Sequence, residues 1–270
     1  MEFRKYYIVK KIGHGTFSEV YEVKERETGE HFALKLFKPM SNSGSNAKKK
    51  FLCGARVAKK IKGENIIRVF DICSERDSVF YVMELVDGCR LKDAIADKSL
   101  RDIRLTLDIM ISVASGVNAI HKAGFIHRDM KPENILLTRE KKVKIIDFGL
   151  AVPRKRFFWN NFNISGSPSY ISPDQILNKR VDERCDIYSI GIIFYEMLTG
   201  NVPFTGSSRE EVYRLHLNPR SLPKPLPRSN DKNTDKLESI VLKCLDKDKN
   251  KRYPNAGFVI RDLNYVKSLY

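Results

Sequence analysis

Apolar and polar positions alternate along the first part of the chain and recur at helical spacing along the rest. Residues 6–11 alternate, G-H-G-T-F-S-E-V follows at 13–20, and alternation resumes over 20–24 before a turn at Thr28-Gly29. This predicts a strand, a glycine-rich turn and a second strand. The run around F-A-L-K (32–35) is β-rich, and 69–74 and 79–83 predict two further strands. A polar stretch, 41–50, runs into a basic helix over 47–61. Residues 91–96 predict a short helix. A long one is predicted over 104–123, with Leu107, Met110, Ile111, Ala114, Val117 and Ile120 on its apolar side and Gly124 ending it. Residues 186–199 (D-I-Y-S-I-G-I-I-F-Y-E-M-L-T) are apolar nearly all round, as in a buried helix. A proline- and charge-rich surface loop is predicted over 219–233, then helices over 237–245 and 256–269.

Composition narrows the class. A chain of 270 residues, 42% hydrophobic and 30% charged, has the length for a sizeable core and the make-up of a globular protein. No apolar run approaches the roughly 18 residues of a membrane span, and the N-terminal M-E-F-R-K-Y-Y-I-V-K does not read as a signal peptide. Five scattered cysteines (Cys53, Cys73, Cys89, Cys185, Cys244) without a C-x-x-C pair point to reduced thiols, a cytoplasmic setting and no structural zinc. The net charge of +16 is spread and accompanies no nucleic-acid motif, so a solvated lysine-rich surface is preferred to a nucleic-acid partner.

The chemistry gathers in residues 125–149, F-I-H-R-D-M-K-P-E-N-I-L-L-T-R-E-K-K-V-K-I-I-D-F-G. Two short apolar runs, 135–137 and 143–146, flank a basic turn and predict a hairpin. A hairpin returns the chain to its start, so Asp129, Asn134 and Asp147 should meet at one end. Asn134 and Asp147 offer the oxygen ligands that Mg²⁺ takes, with phosphates completing its shell. Asp129 is left to orient a hydroxyl.

His127-Arg128-Asp129 with Lys131 and Asn134, followed by Asp147-Phe148-Gly149, resembles the catalytic core of the eukaryotic-type (Hanks-type) serine/threonine protein kinases. The resemblance covers essentially the whole chain. It implies an α+β, two-lobed protein kinase fold in a single domain, 1–270. A small antiparallel β-sheet lobe (1–83) and a hinge (84–88) would precede a larger, mainly α-helical lobe (89–270), with an activation segment at 147–174. It also implies transfer of the γ-phosphoryl group of Mg-ATP to a protein Ser or Thr. Asp129 and Lys131 would be catalytic, and Asn134 and Asp147 would hold Mg²⁺. Gly13 and Gly15 match the glycine loop, although its third glycine position is Ser18. Lys35 of F-A-L-K matches the lysine that holds the α- and β-phosphates. Val20 and Ala33 would lie above the adenine and Leu136 below. Met83 would be the gatekeeper, and Glu84, Leu85 and Val86 the start of the hinge strand. Arg90 falls near the ribose.

The family's lysine is held by a glutamate from the next helix. Here residues 36–63 contain no Asp or Glu, and the glutamate position falls on Gly54. Three accounts stay open: Lys35 pairs with another acid such as Asp147 when nucleotide is absent, the enzyme works at reduced rate, or the chain is a nucleotide-binding pseudokinase acting as a scaffold. If the missing ion pair is limiting, Gly54→Glu should raise the rate. Further on, G-S-P-S-Y-I-S-P-D (166–174) resembles the end of the activation segment, with Ser167 against the catalytic aspartate and Asp174 salt-bridged to Arg252. Asp186 matches the aspartate that binds the H-R-D backbone and would equally serve as a helix N-cap. Phe157, Phe158, Trp159 and Phe162 form an aromatic run that either orders its own loop or docks a partner. Ser165 and Ser167 are candidate phosphorylation sites, and Asn163 occupies a position that many relatives phosphorylate.

Overall fold

The computed structural model describes residues 3, 5–39, 45–74, 78–100, 102–154, 166–178, 181–227 and 233–270. The aromatic run and Asn163 and Ser165 lie outside them. Strands β1 (Tyr6–Gly15), β2 (Ser18–Glu25), β3 (His31–Phe37), β4 (Val69–Ser74) and β5 (Val79–Glu84) form one antiparallel sheet in the order β1-β2-β3-β5-β4. Alternation along β3 and β5 sorts the two faces. Leu34, Leu36, Phe80 and Val82 join Phe3, Tyr6 and Val23 in a small core on one side. Ala33 and Lys35, in register with Met83 and Tyr81, take the other side. A lysine thus projects from a well-packed strand toward the rest of the molecule.

Helix α1 (Ser45–Lys60) covers this inner side with Leu52, Ala55 and Ala58. Gly54 faces the chain that follows the predicted hairpin. A Cβ at 54 would lie 2.8 Å from the Gly149 amide nitrogen and 2.9 Å from the Phe148 carbonyl carbon. Both neighbours are backbone and cannot swing aside. The glycine therefore sets how closely the helix approaches, at a helix-propensity cost of about 1 kcal/mol relative to alanine. This corrects the expectation for Gly54→Glu: there is no room for the first atom of that side chain, so the change would displace α1 or the 148–149 backbone before any ion pair formed.

The second lobe is mainly helical, as expected. Strand β6 (Gly88–Arg90) and α2 (Leu91–Ala96) lead to α3 (Ile103–Lys122), on which Leu107, Met110, Ala114, Val117 and Ile120 are fully buried. By length and composition α3 could cross a membrane, which is more than the sequence pattern suggested. It packs as a core helix against α5 (Arg184–Thr199) and α8 (Ala256–Lys267). Helix α5 is buried from Cys185 to Met197, which explains its apolar surround. Asp186 lies inside its first turn, with Glu183 at the N-cap, so the capping reading of Asp186 does not hold. The sequence pattern missed α4 (Pro173–Ile176) and α6 (Arg209–Leu217). Both are short, and their signal lies in the caps: Ser172 with Gln175, and Ser208 accepting from the Glu211 amide. Helix α7 (Thr234–Cys244) starts three residues earlier than its apolar pattern.

Two buried features of this lobe give measurable stability. Arg252 meets Asp174 at 2.8 Å, both buried, and also donates to the carbonyls of Arg184 and Asp246. Arg252→Ala would strand a buried carboxylate and should cost about 3–5 kcal/mol in urea unfolding; a loss below 1 kcal/mol would contradict the burial seen here. His216 bonds the Tyr188 hydroxyl at 2.8 Å. Burial, with Lys247 nearby, pushes its pKa from 6.5 down to about 3. Between those values the unfolded chain binds a proton that the folded chain refuses. Stability from this group is full above pH 6.5 and should fall by ~1.4 kcal/mol per pH unit below it. Urea titrations at pH 7 and pH 5 read the loss, and His216→Asn should flatten it.

Candidate active site

The predicted hairpin is present. Strands β8 (Ile135–Thr138) and β9 (Val143–Ile145) pair antiparallel with Ile135 opposite Ile145, and β6 extends the sheet on the β8 side. The Ile146 amide donates to the Asn134 carbonyl at 2.8 Å. This bond closes the open end of the hairpin and sets Asn134 beside Asp147. Asn134 ends a 3-10 turn, Pro132–Asn134, so its side chain points back across the preceding loop. Arg128 and Asp147 both hold left-handed backbone, with φ of 68° and 62°. Such strain in non-glycine residues persists only where the surroundings impose it.

Those surroundings can be named. The buried Asp186 carboxylate accepts from the amides of His127 (2.9 Å) and Arg128 (2.8 Å) and bonds His121 Nε2 at 2.8 Å. Burial works to raise its pKa, yet these bonds hold it below the ordinary aspartate value, so it is ionised. From the other side, Gln175 Nε2 donates to the Arg128 carbonyl at 3.0 Å. The His127 ring meets the Phe148 ring edge-on at 5.0 Å, which ties the loop to the 147–149 turn.

Held in this way, Asp129 becomes the hub of four polar contacts. Its Oδ1 accepts from the Ser167 amide (3.1 Å) and hydroxyl (3.3 Å), and its Oδ2 from Asn134 Nδ2 (3.2 Å). Lys131 Nζ lies 3.3 Å from Oδ2 and donates to Ser167 Oγ at 2.7 Å. Strand β10 (Val152–Pro153), paired with β7 (Phe125–Ile126), keeps the chain after residue 151 against the loop.

Between the lobes lies a cavity of about 240 Å³. Gly15, Val20, Lys35, Met83, Lys131, Asn134 and Asp147 line it, as do Ser18 and Arg90. Gly13, Ala33, Glu84, Leu85, Val86, Asp129 and Leu136 are not in its wall. Tyr81, Ile146 and Glu133 are, although motif matching did not point to them. Tyr81 could have been found from strand period, two positions before Met83 on the same face. Glu84 has a second use, accepting from the Arg68 amide (2.7 Å) and from Lys144 Nζ (2.9 Å), so it joins the sheet to β9. Across the cavity Lys35 Nζ meets Asp147 Oδ2 at 3.1 Å, the pairing that the first of the three accounts anticipated. Burial works to raise the Asp147 pKa, and Lys35 and the Gly149 amide outweigh it and hold it low. The carboxylate therefore faces the cavity ionised.

A sheet lobe lies over a helical lobe, with a lysine and an aspartate facing each other across the cleft. Residues 6–259 match the family model described as protein kinase domain, and the chain belongs to that family. It is 34% identical over 97% of its length to a probable serine/threonine-protein kinase of Clostridium perfringens, covering 38% of that protein. It is 34% identical over 91% of its length to the kinase PknA of Corynebacterium glutamicum, covering 53% of it. To the serine/threonine-protein kinase PrkC of Bacillus subtilis it is 30% identical over 96% of its length, covering 40%. The chain thus spans roughly two fifths to one half of these relatives.

The anchoring geometry carries a prediction. Asp186→Ala would leave two buried amides and His121 without their acceptor. We expect a loss of about 3 kcal/mol or more in chemical unfolding, with Asp186→Asn losing less because it keeps one acceptor oxygen. Equal stability of all three proteins would refute the anchoring role.

Proposed function

We propose that this chain is a protein serine/threonine kinase domain that transfers the γ-phosphoryl group of Mg-ATP to a Ser or Thr hydroxyl of a protein. The observation that carries the reading is the Asp129–Lys131–Ser167 cluster, closed at 2.7–3.3 Å, beside a cavity whose far wall holds Lys35. Asp129 accepts or orients the proton of an incoming hydroxyl. Lys131 neutralises charge on the transferred group. Lys35 takes the α- and β-phosphates, while Gly13 and Gly15 bring backbone amides toward them. Val20 and Ala33 cover the adenine, Leu136 lies beneath it, Met83 stands behind it, and Glu84 to Val86 offer backbone to its edge. Catalysis of this kind is positioning and charge neutralisation, with little covalent work by the protein.

Asn134 and Asp147 fit a hard cation. Asn134 spends its amide nitrogen on Asp129, which turns its oxygen the other way, and the Asp147 carboxylate is ionised. Asn134 and Asp147 would hold Mg²⁺, which would supply neutralisation of phosphate charge there. The chain is read as one domain with its hinge at 84–88, working in the cytoplasm. The pseudokinase reading is weaker because Asp129, Lys131, Asn134 and Asp147 are all present in the sequence.

Incubating the protein with Mg-ATP and carrier proteins of acidic and basic charge, followed by mass spectrometry, should yield phosphoserine or phosphothreonine. Asp147→Asn should yield none. Ser167→Ala should lower kcat about tenfold or more through misplaced Asp129 and Lys131, leaving ATP affinity within about twofold. Intact ATP binding with no phosphate transferred to any protein would favour the scaffold.

A further inference from the structure

We propose that Lys92 is a positioning residue for the hydroxyl-accepting side of the site, acting through Glu196 and Tyr170 on the turn that follows Ser167. The inference rests on the kinase reading and deepens it, since Lys92 belongs to none of the motifs behind that reading. The turn needs outside support. Pro168–Tyr170 is a single 3-10 turn, and such short pieces hold poorly by themselves. Its own bond is local, from the Tyr170 amide to the Ser167 carbonyl at 3.0 Å. Two bonds of longer range fix it, and both run to α5. Ser189 Oγ donates to the Tyr170 carbonyl at 2.7 Å, and the Tyr170 hydroxyl donates to Glu196 Oε2 at 2.6 Å.

Helix α5 thus fixes both partners of the Asp129–Ser167 contact. Asp186 in its first turn holds the backbone before Asp129. Glu196, about 15 Å further along the axis, holds the turn after Ser167. Glu196 is 2% exposed. One tyrosine hydroxyl does not satisfy a buried carboxylate, whose other oxygen needs a donor of its own. Lys92 supplies it, donating from Nζ to Oε1 at 2.7 Å. A charge-assisted bond of that length is among the strong ones. The lysine is well anchored at its base. It lies in the first turn of α2, where Leu91 and Ala94 are fully buried. Its own side chain is 42% exposed, so it closes the carboxylate off from solvent. Without the ammonium Glu196 would turn toward water or take up a proton, and either change loosens its hold on Tyr170. Ser167 would then drift from Asp129 and Lys131, which it meets at 2.7–3.3 Å.

Lys92→Met keeps most of the side chain and removes the ammonium. Assayed with Mg-ATP and a carrier protein that the wild type phosphorylates, it should lower kcat about three- to tenfold and leave ADP affinity within about twofold. Lys92→Arg should restore most of the rate. In a Ser167→Ala background Lys92→Met should change kcat by less than about twofold, because the contact it supports is already gone. A merely structural role would multiply the two losses and weaken ADP as well; either result, or an unchanged kcat, overturns the inference. Amide hydrogen exchange needs no activity: Lys92→Met should speed exchange at Ser167 and Tyr170 about tenfold while the β8–β9 amides keep their rates. Unchanged exchange at 167 and 170 would overturn the inference too. Should Lys92→Met fold poorly, Tyr170→Phe removes the next bond in the chain and should show the same kcat loss and the same failure to add to Ser167→Ala; a fully additive loss or none would count against the inference equally. A wild type that transfers no phosphate would sink the kinase reading, and the exchange rates would then decide alone whether Lys92 positions the turn. Wild-type transfer that Lys92→Met leaves untouched would sink the inference and spare the reading.

Discussion

One buried carboxylate organises the loop that carries Asp129. Asp186 lies in the first turn of a helix with almost no exposed surface, and it spends both oxygens on backbone amides of residues 127 and 128 and on His121. An ionised group in such a place is tolerable only when every lone pair finds a donor. The loop supplies those donors by taking a left-handed turn at Arg128, which extended backbone could not do. Asp129 is the residue after that turn. Its position follows from electrostatic satisfaction deep in the helical lobe.

The opposite lobe reaches the site by packing. Alternation on β3 and β5 sends Lys35 and Tyr81 toward the cleft while Leu34, Leu36, Phe80 and Val82 seal the outer side. Helix α1 then closes down until Gly54 touches the Phe148–Gly149 backbone. In sequence a glycine there reads as a lost ion pair and a weakened helix. In space it is a contact that any larger residue would block. The two views agree on the residue and differ on its consequence, because the consequence depends on a chain segment nearly a hundred positions away.

Much of the fold was legible early. The strands, the long helices and the hairpin carry strong periodicity, and the H-R-D and D-F-G triplets flank that hairpin. Asp186 and Arg252 were also found with their partners, since each matches a family position. What stayed hidden is short or cooperative. Helices α4 and α6 rely on caps at Ser172 and Ser208 more than on an apolar stripe. Glu84 accepts from the Arg68 amide and from Lys144, contacts with no local signature.

The sequence by itself determined which positions of each strand and helix are apolar, which sets Lys35 of β3 on the face opposite Leu34 and Leu36. It also determined the spacing that brings Asn134 and Asp147 to one end of a hairpin. Only the tertiary structure decided what Lys35 meets there: an aspartate 112 positions away and a tyrosine on the neighbouring strand. Periodicity records how one element divides between core and solvent. The identity of a charged group's partner is set by distances of a few ångströms between elements that the chain brings together only once it has folded.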